Sequence, residues 1–241
     1  MTDTHQGAGK DLSDRADRAD RTEATRRSYD TVAADYQRLL AGLPDAAPLD
    51  RAMLAAFAAS VRAGAAAGEL PAAVADLGCG TGRVTAHLRE LGVEAYGVDL
   101  SPGMVRVARE AYPGLRFEVG SMTALDLPDG ALGGVLSWYA TVHLDEPGLA
   151  LAFAESARVL APGGLLLLAF KVTTGPERER RRLERAYGHE VDLDVYRWAP
   201  DRVARLLTAA GLVEAARLVR EPEAEDASPQ GFFLARRPRT A

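Results

Sequence analysis

The sequence predicts an α/β fold built on an open, mainly parallel β-sheet, and three observations carry this prediction. From residue 73 onward, short apolar runs alternate with helical segments of about 10–15 residues, which is typical of βαβ units. A glycine-rich loop joins the first apolar run to the helix that follows it. Two helical segments precede the alternation, and the last two apolar runs have the pattern of an antiparallel pair.

The composition excludes several classes of protein. The 241 residues carry 29 Lys and Arg against 34 Asp and Glu, a net charge of −5, which gives no overall attraction for nucleic acid or anionic membranes. No apolar run reaches the roughly 18 residues of a membrane span, and the first ten residues lack a signal-peptide pattern. The single cysteine, Cys79, excludes an internal disulfide and a Cys-rich zinc site. We therefore expect a cytoplasmic protein with no membrane, nucleic-acid or metal partner.

The N-terminal third is predicted to contain a disordered tail and a helical cap. Residues 1–24 are small or polar and offer no apolar stripe, and their i,i+4 Asp–Arg pairs would add only a few tenths of a kcal/mol to a solvated helix. Residues 25–70 are predicted to form two cap helices. The first has its apolar residues on one helical face: Tyr29, Val32, Ala33, Tyr36, Leu39 and Leu40. The second runs from about residue 49 to 63 and ends before Gly64, Gly68 and Pro71.

Residues 71–241 are predicted to form the sheet domain. Its expected strands lie at 73–77, 94–99, 115–119, 134–137, 165–171, 212–220 and 231–235, and its expected helices at 83–91, 102–112, 147–160 and 201–210. Residues 175–199 form an insertion after the fifth strand. Its mixed-charge run from Glu177 to Arg185 suits a solvated helix face better than a phosphate-binding surface.

The loop between the first strand and its helix reads DLGCGTG, from Asp76 to Gly82. Glycine permits sharp turns and a close approach of the backbone to a ligand, and the following helix presents N–H groups to an anionic group. A dinucleotide-binding fingerprint would need glycine where Arg83 stands, and a P-loop would need a lysine that is absent. Asp99 ends the second strand, 21 residues after Gly78, where a carboxylate can accept both hydroxyls of a ribose.

An acidic residue followed by Gly-x-Gly-x-Gly between a strand and a helix resembles the first motif of class I S-adenosylmethionine (SAM) methyltransferases. Residues 28–36, SYDTVAADY, are similar to the N-terminal cap helix of the small-molecule type, and residues 161–164, APGG, to the family's turn before strand five. The resemblance covers roughly residues 25–237. It implies a Rossmann-like sheet of seven strands in the order 3-2-1-4-5-7-6, with strand 7 antiparallel and N-terminal cap helices.

The resemblance also implies which residues bind SAM and its product S-adenosylhomocysteine. They are Tyr29, Tyr36, Asp76, Gly78, Gly80, Asp99, Leu100, Met104, Ser121, Met122 and Ser137. In this scheme Tyr36 reaches the methionine carboxylate, Asp99 binds the ribose, and Leu100 and Met104 flank the adenine. Ser121 departs from the family pattern, which often has aspartate there, and would accept a weaker hydrogen bond from the adenine amino group.

Methyl transfer from a sulfonium is an in-line displacement that depends mainly on alignment, so a base is needed only where the acceptor keeps its proton. His143, after the fourth strand, is the candidate general base, and the alternative is that it packs over the cofactor or orders the cofactor's carboxylate. The candidate substrate-binding residues are Trp138, Tyr139, His189, Tyr196 and Trp198. The aromatic residues of the insertion could instead bury it against the core.

The sequence therefore predicts an enzyme that methylates a small molecule with SAM, with an oxygen acceptor favoured over nitrogen or carbon. We expect the enzyme to act in specialised metabolism and to be a monomer or a homodimer. SWYA at residues 137–140 replaces the Asn-Pro-Pro-Tyr-like sequence that amino-methylating nucleic-acid and protein enzymes of this fold often carry. Two alternatives stay open: a SAM-binding enzyme of the same fold that catalyses a non-methylating cyclisation, and a non-catalytic SAM-binding partner.

Overall fold

The computed structural model describes residues 4–40, 48–175, 178–223 and 227–239. Its helices are α1 (Thr4–Leu40), α2 (Pro48–Ala66), α3 (Arg83–Glu90), α4 (Pro102–Ala111), α5 (Glu146–Val159) and α6 (Pro200–Ala209). Its strands are β1 (Ala73–Leu77), β2 (Glu94–Asp99), β3 (Phe117–Val119), β4 (Leu132–Trp138), β5 (Leu160–Lys171), β6 (Arg178–Ala186), β7 (His189–Trp198), β8 (Val213–Arg220) and β9 (Gln230–Arg236). A short 3₁₀ helix spans Thr141–His143.

Seven strands form one sheet in the order β3-β2-β1-β4-β5-β9-β8, and β6 and β7 form a separate antiparallel hairpin. With β8 and β9 counted as the sixth and seventh strands, the predicted order 3-2-1-4-5-7-6 is confirmed, and β9 is antiparallel to β5. Because β1 lies parallel to both β2 and β4, the carboxyl ends of these three strands meet at one edge of the sheet. No helix in the described part of the chain has the length and apolar character to cross a bilayer.

The central strands are buried on both faces, as expected for parallel strands covered by helices. On one face, Val135 and Leu168 pack with residues of α5 and α6, such as Phe153. On the other face, Leu136 and neighbouring leucines pack against α2 and α3. Alternate residues of each strand therefore serve two cores, which explains why their sequences are continuously apolar rather than alternating.

The predicted tail at residues 1–24 differs from the structure, because residues 4–40 form the single helix α1. Two residues near the end of this stretch contact a distant partner. Asp145, which lies before α5, accepts a 2.8 Å hydrogen bond from the guanidinium of Arg21 and lies 3.6 Å from Nε of Arg18. Local spacing cannot show this contact, since the partners are 124 residues apart in the chain.

The helical interpretation of the mixed-charge run is wrong for its described residues, because Arg178–Arg185 lie in strand β6; Glu177 lies outside the described residues. Cross-strand ion pairs stabilise this hairpin. Arg180 donates two 2.9 Å hydrogen bonds to the Asp194 carboxylate of β7, and Arg182 lies 2.6 Å from a carboxylate oxygen of Asp192. The insertion is thus a β-hairpin, which packs against α1.

We expect Gly134→Ala in β4 to destabilise the protein by about 1–3 kcal/mol, the usual cost of overpacking a core. A Cβ at Gly134 would lie 2.9 Å from Cζ of Phe57 and 3.0 Å from Cγ2 of Val61, both on α2. Urea unfolding measures the effect, and Gly114→Ala is the matched control, because a Cβ at Gly114 meets no atom within 4 Å. Equal stabilities of the two variants would contradict this account of the α2–sheet contact.

Candidate active site

The glycine loop between β1 and α3 has a backbone that only glycine adopts without strain. Gly78, Gly80 and Gly82 have φ angles of +74°, +55° and +83°. A Cβ at Gly78 would lie 2.3 Å from Cβ of Ala140, so this loop touches the turn that follows β4. A Cβ at Gly80 would meet only a ring carbon of Tyr36, at 3.8 Å. The loop is thus closed toward β4 and bordered by the cap helix.

Asp99, at the carboxyl end of β2, is held by two backbone N–H groups. Its Oδ2 accepts a 2.8 Å hydrogen bond from the N–H of Gly80, and its Oδ1 accepts a 2.9 Å hydrogen bond from the N–H of Ser101. Desolvation raises the pKa of Asp99, and these two hydrogen bonds oppose that shift. Each oxygen keeps acceptor capacity for a further donor, so the carboxylate can bind a diol.

Asp76 lies just before the loop and is buried. Its Oδ2 accepts a 2.6 Å hydrogen bond from Oγ1 of Thr85, on α3. Burial is the main cause that raises its pKa, to about 7, and the Thr85 hydroxyl acts in the opposite direction. Asp76 therefore connects the start of the loop to α3 through this hydrogen bond.

Aromatic side chains from α1 and the hairpin cover the loop. The ring centroids of Tyr29 and Tyr36 are 6.1 Å apart, and those of Tyr36 and Tyr187 are 5.0 Å apart. Desolvation raises the pKa of both Tyr29 and Tyr36, so their hydroxyls stay protonated at neutral pH. Tyr187 has a φ of +54°, an uncommon conformation for an aromatic residue, and was not predicted as a site residue.

His143 joins three elements. Its Nδ1 lies 2.7 Å from the backbone oxygen of Asp194 in β7, and its Nε2 lies 2.7 Å from the hydroxyl of Tyr29 in α1. Because the carbonyl can only accept, Nδ1 carries the proton and Nε2 accepts from Tyr29. Desolvation lowers the pKa of His143 to about 4, so the imidazole is neutral at pH 7.

The residues expected around the adenine lie near the loop on two segments. Met104 is fully buried in the first turn of α4, and its N–H donates to Oγ of Ser101, the N-cap residue of that helix. The methyl carbon of Met122 would lie 3.1 Å from a Cβ at Gly78, so the segment after β3 also reaches the loop. The hydroxyl of Ser121 lies 2.9 Å from that of Thr123, within its own turn. Leu100 lies directly between Asp99 and Ser101, half-exposed.

The end of β4 places three expected site residues beside the loop. Ser137 is buried, and its hydroxyl has no hydrogen-bond partner among the described residues. Trp138 packs against Phe232 of β9, with ring centroids 5.5 Å apart. Tyr139 has a φ of +55°, and its hydroxyl donates a 3.3 Å hydrogen bond to Oδ2 of Asp50, on α2. Strained backbone of this kind is often found at functional sites.

Comparisons with known proteins agree on the family. Residues 74–164 match the family model for a methyltransferase domain. An uncharacterized methyltransferase of Mycobacterium bovis is 41% identical over 104 residues, which is 42% of each chain. A trans-aconitate 2-methyltransferase of Methylobacterium nodulans is 36% identical over 146 residues, 58% of this chain and 50% of that one. The matches thus span half or less of the length of these curated relatives.

A solved structure supports the fold over most of the chain. Burkholderia thailandensis 1,6-didemethyltoxoflavin-N1-methyltransferase, with bound 1,6-didemethyltoxoflavin and S-adenosylhomocysteine, superposes with a TM-score of 0.64 at 20% identity. The alignment covers 90% of this chain and 88% of that chain. Residues 74–164 thus match a methyltransferase domain, and the chain has the fold of this solved methyltransferase.

The geometry of the site fits SAM, the cofactor that the sequence predicts. A Cβ at Gly80 would meet no described atom closer than 3.8 Å, so a ligand can approach the loop backbone closely there. The Asp99 carboxylate is aimed by two backbone N–H groups and can accept from a sugar diol. Within the described ranges, no cluster of three or more His, Cys, Asp or Glu residues is arranged to hold a metal ion.

Three residues predicted to bind the substrate have structural contacts instead, which for the aromatic residues of the insertion was the alternative interpretation. Tyr196 and Trp198 are 3% and 1% exposed and stack on each other in the main core, so their assignment to the substrate site is corrected. Local spacing does not place them there, because they fall on the same alternate positions of β7 as the charged residues Asp192 and Asp194. Nε2 of His189 lies 2.5 Å from Oδ2 of Asp35, so His189 fastens the hairpin to α1.

We expect Asp76→Asn to stabilise the ligand-free protein, relative to wild type, increasingly as the pH rises from about 4 to 7. The unfolded-state pKa of aspartate is about 3.9, and the folded-state pKa of Asp76 is raised to about 7. The folded wild type therefore binds more protons over this window, and its free energy of unfolding falls as pH rises. Urea unfolding across the pH range checks this, with the exposed Asp126→Asn as control. Parallel curves for wild type and Asp76→Asn would contradict it.

We expect the imidazole of His143 to titrate near pH 4 and Tyr29→Phe to raise that pKa. The Tyr29 hydroxyl donates to Nε2 and thus stabilises the neutral imidazole, so its removal favours the charged form. Histidine NMR signals followed against pH measure both values, and the His143→Gln variant identifies the signal. His87, which lies on α3 away from Tyr29, serves as the internal control. A signal that titrates near 6.5 in both proteins would disprove the described contact.

Proposed function

We propose that this protein transfers the methyl group of SAM to a small-molecule acceptor. The observation that carries the proposal is the Asp99 carboxylate, held by the N–H groups of Gly80 and Ser101 at the mouth of the glycine loop. When bound, SAM supplies an electrophilic methyl group on its sulfonium. The relatives named for trans-aconitate and 1,6-didemethyltoxoflavin support an acceptor of small size.

The chain's own residues would contribute mainly orientation and exclusion of water. Asp99 fixes the ribose, while the backbone of Gly78 and Ser137 and the carboxylate of Asp76 order the methionine end. Because a Cβ at Gly78 would strike Ala140, the turn carrying Trp138 and Tyr139 lies next to the methionine end and can present an acceptor there. Alignment of this kind can supply about 7–11 kcal/mol of barrier reduction.

Six further residues would complete the cofactor site. Tyr36 borders Gly80, where its hydroxyl can donate to the methionine carboxylate, and Tyr29 packs beside it. Leu100 and Met104 flank the adenine, Met122 offers its backbone, and Ser121 accepts from the adenine amino group. The rings of Tyr29, Tyr36 and Tyr187 then separate this site from solvent.

The role of His143 as general base is part of this proposal. Its Nε2 already accepts from the Tyr29 hydroxyl, so a proton from an acceptor would reach it through Tyr29 or after that hydroxyl moves. With the pKa of His143 lowered to about 4, the imidazole is neutral at pH 7 but is a weaker base than an ordinary histidine. An acceptor oxygen is favoured, because the Asn-Pro-Pro-Tyr-like sequence that often accompanies amino methylation is replaced by SWYA at residues 137–140.

We expect the protein to bind SAM and S-adenosylhomocysteine with micromolar affinity and Asp99→Asn to weaken both at least about tenfold. The amide of asparagine would set an N–H₂ group against one of the two backbone N–H donors and remove the charge that holds the diol. Calorimetry measures the affinities. Glu118→Gln, an exposed carboxylate on the neighbouring strand β3, is the control. Unchanged binding by Asp99→Asn would refute the cofactor assignment.

A second measurement separates methyl transfer from the two alternatives. The protein is incubated with SAM carrying an isotopic methyl label and a panel of small hydroxyl, carboxyl, amine and carbon acceptors. Label in an acceptor, with release of S-adenosylhomocysteine, is the expected result. Label retained on SAM while an acceptor is converted would favour non-methylating chemistry, and no conversion of any acceptor would favour a non-catalytic partner.

A further inference from the structure

Asp30 of α1 reaches across to the first turn of α4. Its Oδ1 accepts a 2.6 Å hydrogen bond from the hydroxyl of Ser101 and a 2.8 Å hydrogen bond from the N–H of Gly103. Its Oδ2 pairs with Arg26 at 2.6 Å, one turn earlier in α1. The carboxylate therefore satisfies groups of α4 from a different element, and the Arg26 cation offsets its charge.

The glycine at position 103 permits this close contact. A Cβ there would lie 3.0 Å from Cα and 3.1 Å from the backbone oxygen of Asp30. Ser101 is fully buried, and its hydroxyl also accepts from the N–H of Met104, so it is the N-cap of α4 as well as the donor to Asp30. The junction has little room for any other acceptor to replace Asp30.

Ser101 links Asp30 to the proposed ribose site. Ser101 donates its backbone N–H to Oδ1 of Asp99 and its hydroxyl to Asp30. Oδ2 of Asp99 in turn accepts from the N–H of Gly80 in the glycine loop. A continuous chain of hydrogen bonds thus runs from the cap helix through Ser101 and Asp99 to the backbone of the loop.

We propose that Asp30 is a positioning residue of the cofactor site: it holds Ser101, and through it Asp99, in the geometry that binds the ribose hydroxyls. The docking of α1 and the binding of the cofactor then stabilise each other, because both depend on the same loop arrangement. The inference rests on the proposed function and extends it to a residue that does not itself touch the cofactor.

The test is the affinity for S-adenosylhomocysteine, measured by calorimetry on three variants. Asp30→Ala removes the acceptor, and we expect a loss of about tenfold or more. Asp30→Asn keeps an oxygen for Ser101 and Gly103 while it removes the charge, and we expect an affinity within about threefold of wild type. Thr31→Ala is the matched control, because its exposed hydroxyl bonds only to the Arg27 carbonyl of α1.

A second variant keeps the test decisive if Asp30→Ala does not fold. Gly103→Ala leaves Asp30 in place but sets a methyl group against its backbone, and alanine favours the helix α4 that it joins. We expect Gly103→Ala to weaken S-adenosylhomocysteine binding by a similar factor without reducing helix content by circular dichroism.

The outcomes distinguish the inference from the proposed function. If wild type binds S-adenosylhomocysteine and both Asp30→Ala and Gly103→Ala bind it equally well, Asp30 has only a structural role and the inference is overturned alone. The inference is also overturned if the two variants have a lowered melting temperature but an unchanged affinity for S-adenosylhomocysteine. If wild type does not bind S-adenosylhomocysteine, the proposed function falls and the inference falls with it.

Discussion

Two backbone N–H groups, from Gly80 and Ser101, hold the Asp99 carboxylate at the edge of the sheet, and the candidate site is arranged around this contact. A buried carboxylate is costly unless its oxygens are hydrogen-bonded. The loop backbone meets part of this need at Gly80, which has a positive φ and donates its N–H to the acid. The same residues therefore satisfy the acid and shape the loop that would receive the cofactor.

Around this contact, the cap helix and the hairpin behave as one cover. The hydroxyl of Ser28 accepts from the N–H of Asp192, and Asp35 binds His189, so α1 and β7 are joined at two points. His143 adds a third, since it bonds to Tyr29 of α1 and to the Asp194 backbone of β7. These three contacts tie the helix that carries Tyr29 and Tyr36 to the hairpin that carries Tyr187.

Much of the central sheet and the position of the loop could be predicted from the sequence, because both depend on local signals. Strands β1 and β2 have their predicted bounds, and Ser101 caps α4 as its position before Pro102 suggests. The residues that depend on distant partners could not be found in this way. Asp30 has i,i+4 spacing to Arg26, which suggests only a surface ion pair, while its second oxygen serves α4, 71 residues further on.

The sequence by itself determined the seven strands of the main sheet and the helices between them, the glycine loop and the acid that follows it, because periodicity and turn chemistry act over a few residues. Only the tertiary structure decided that the N-terminal residues continue as a helix toward Asp145, that Arg178–Arg185 form a strand and that Tyr196 and Trp198 lie in the core. The charged and aromatic side chains of these segments contact partners that are far away in the chain. Local spacing in the sequence cannot identify those partners.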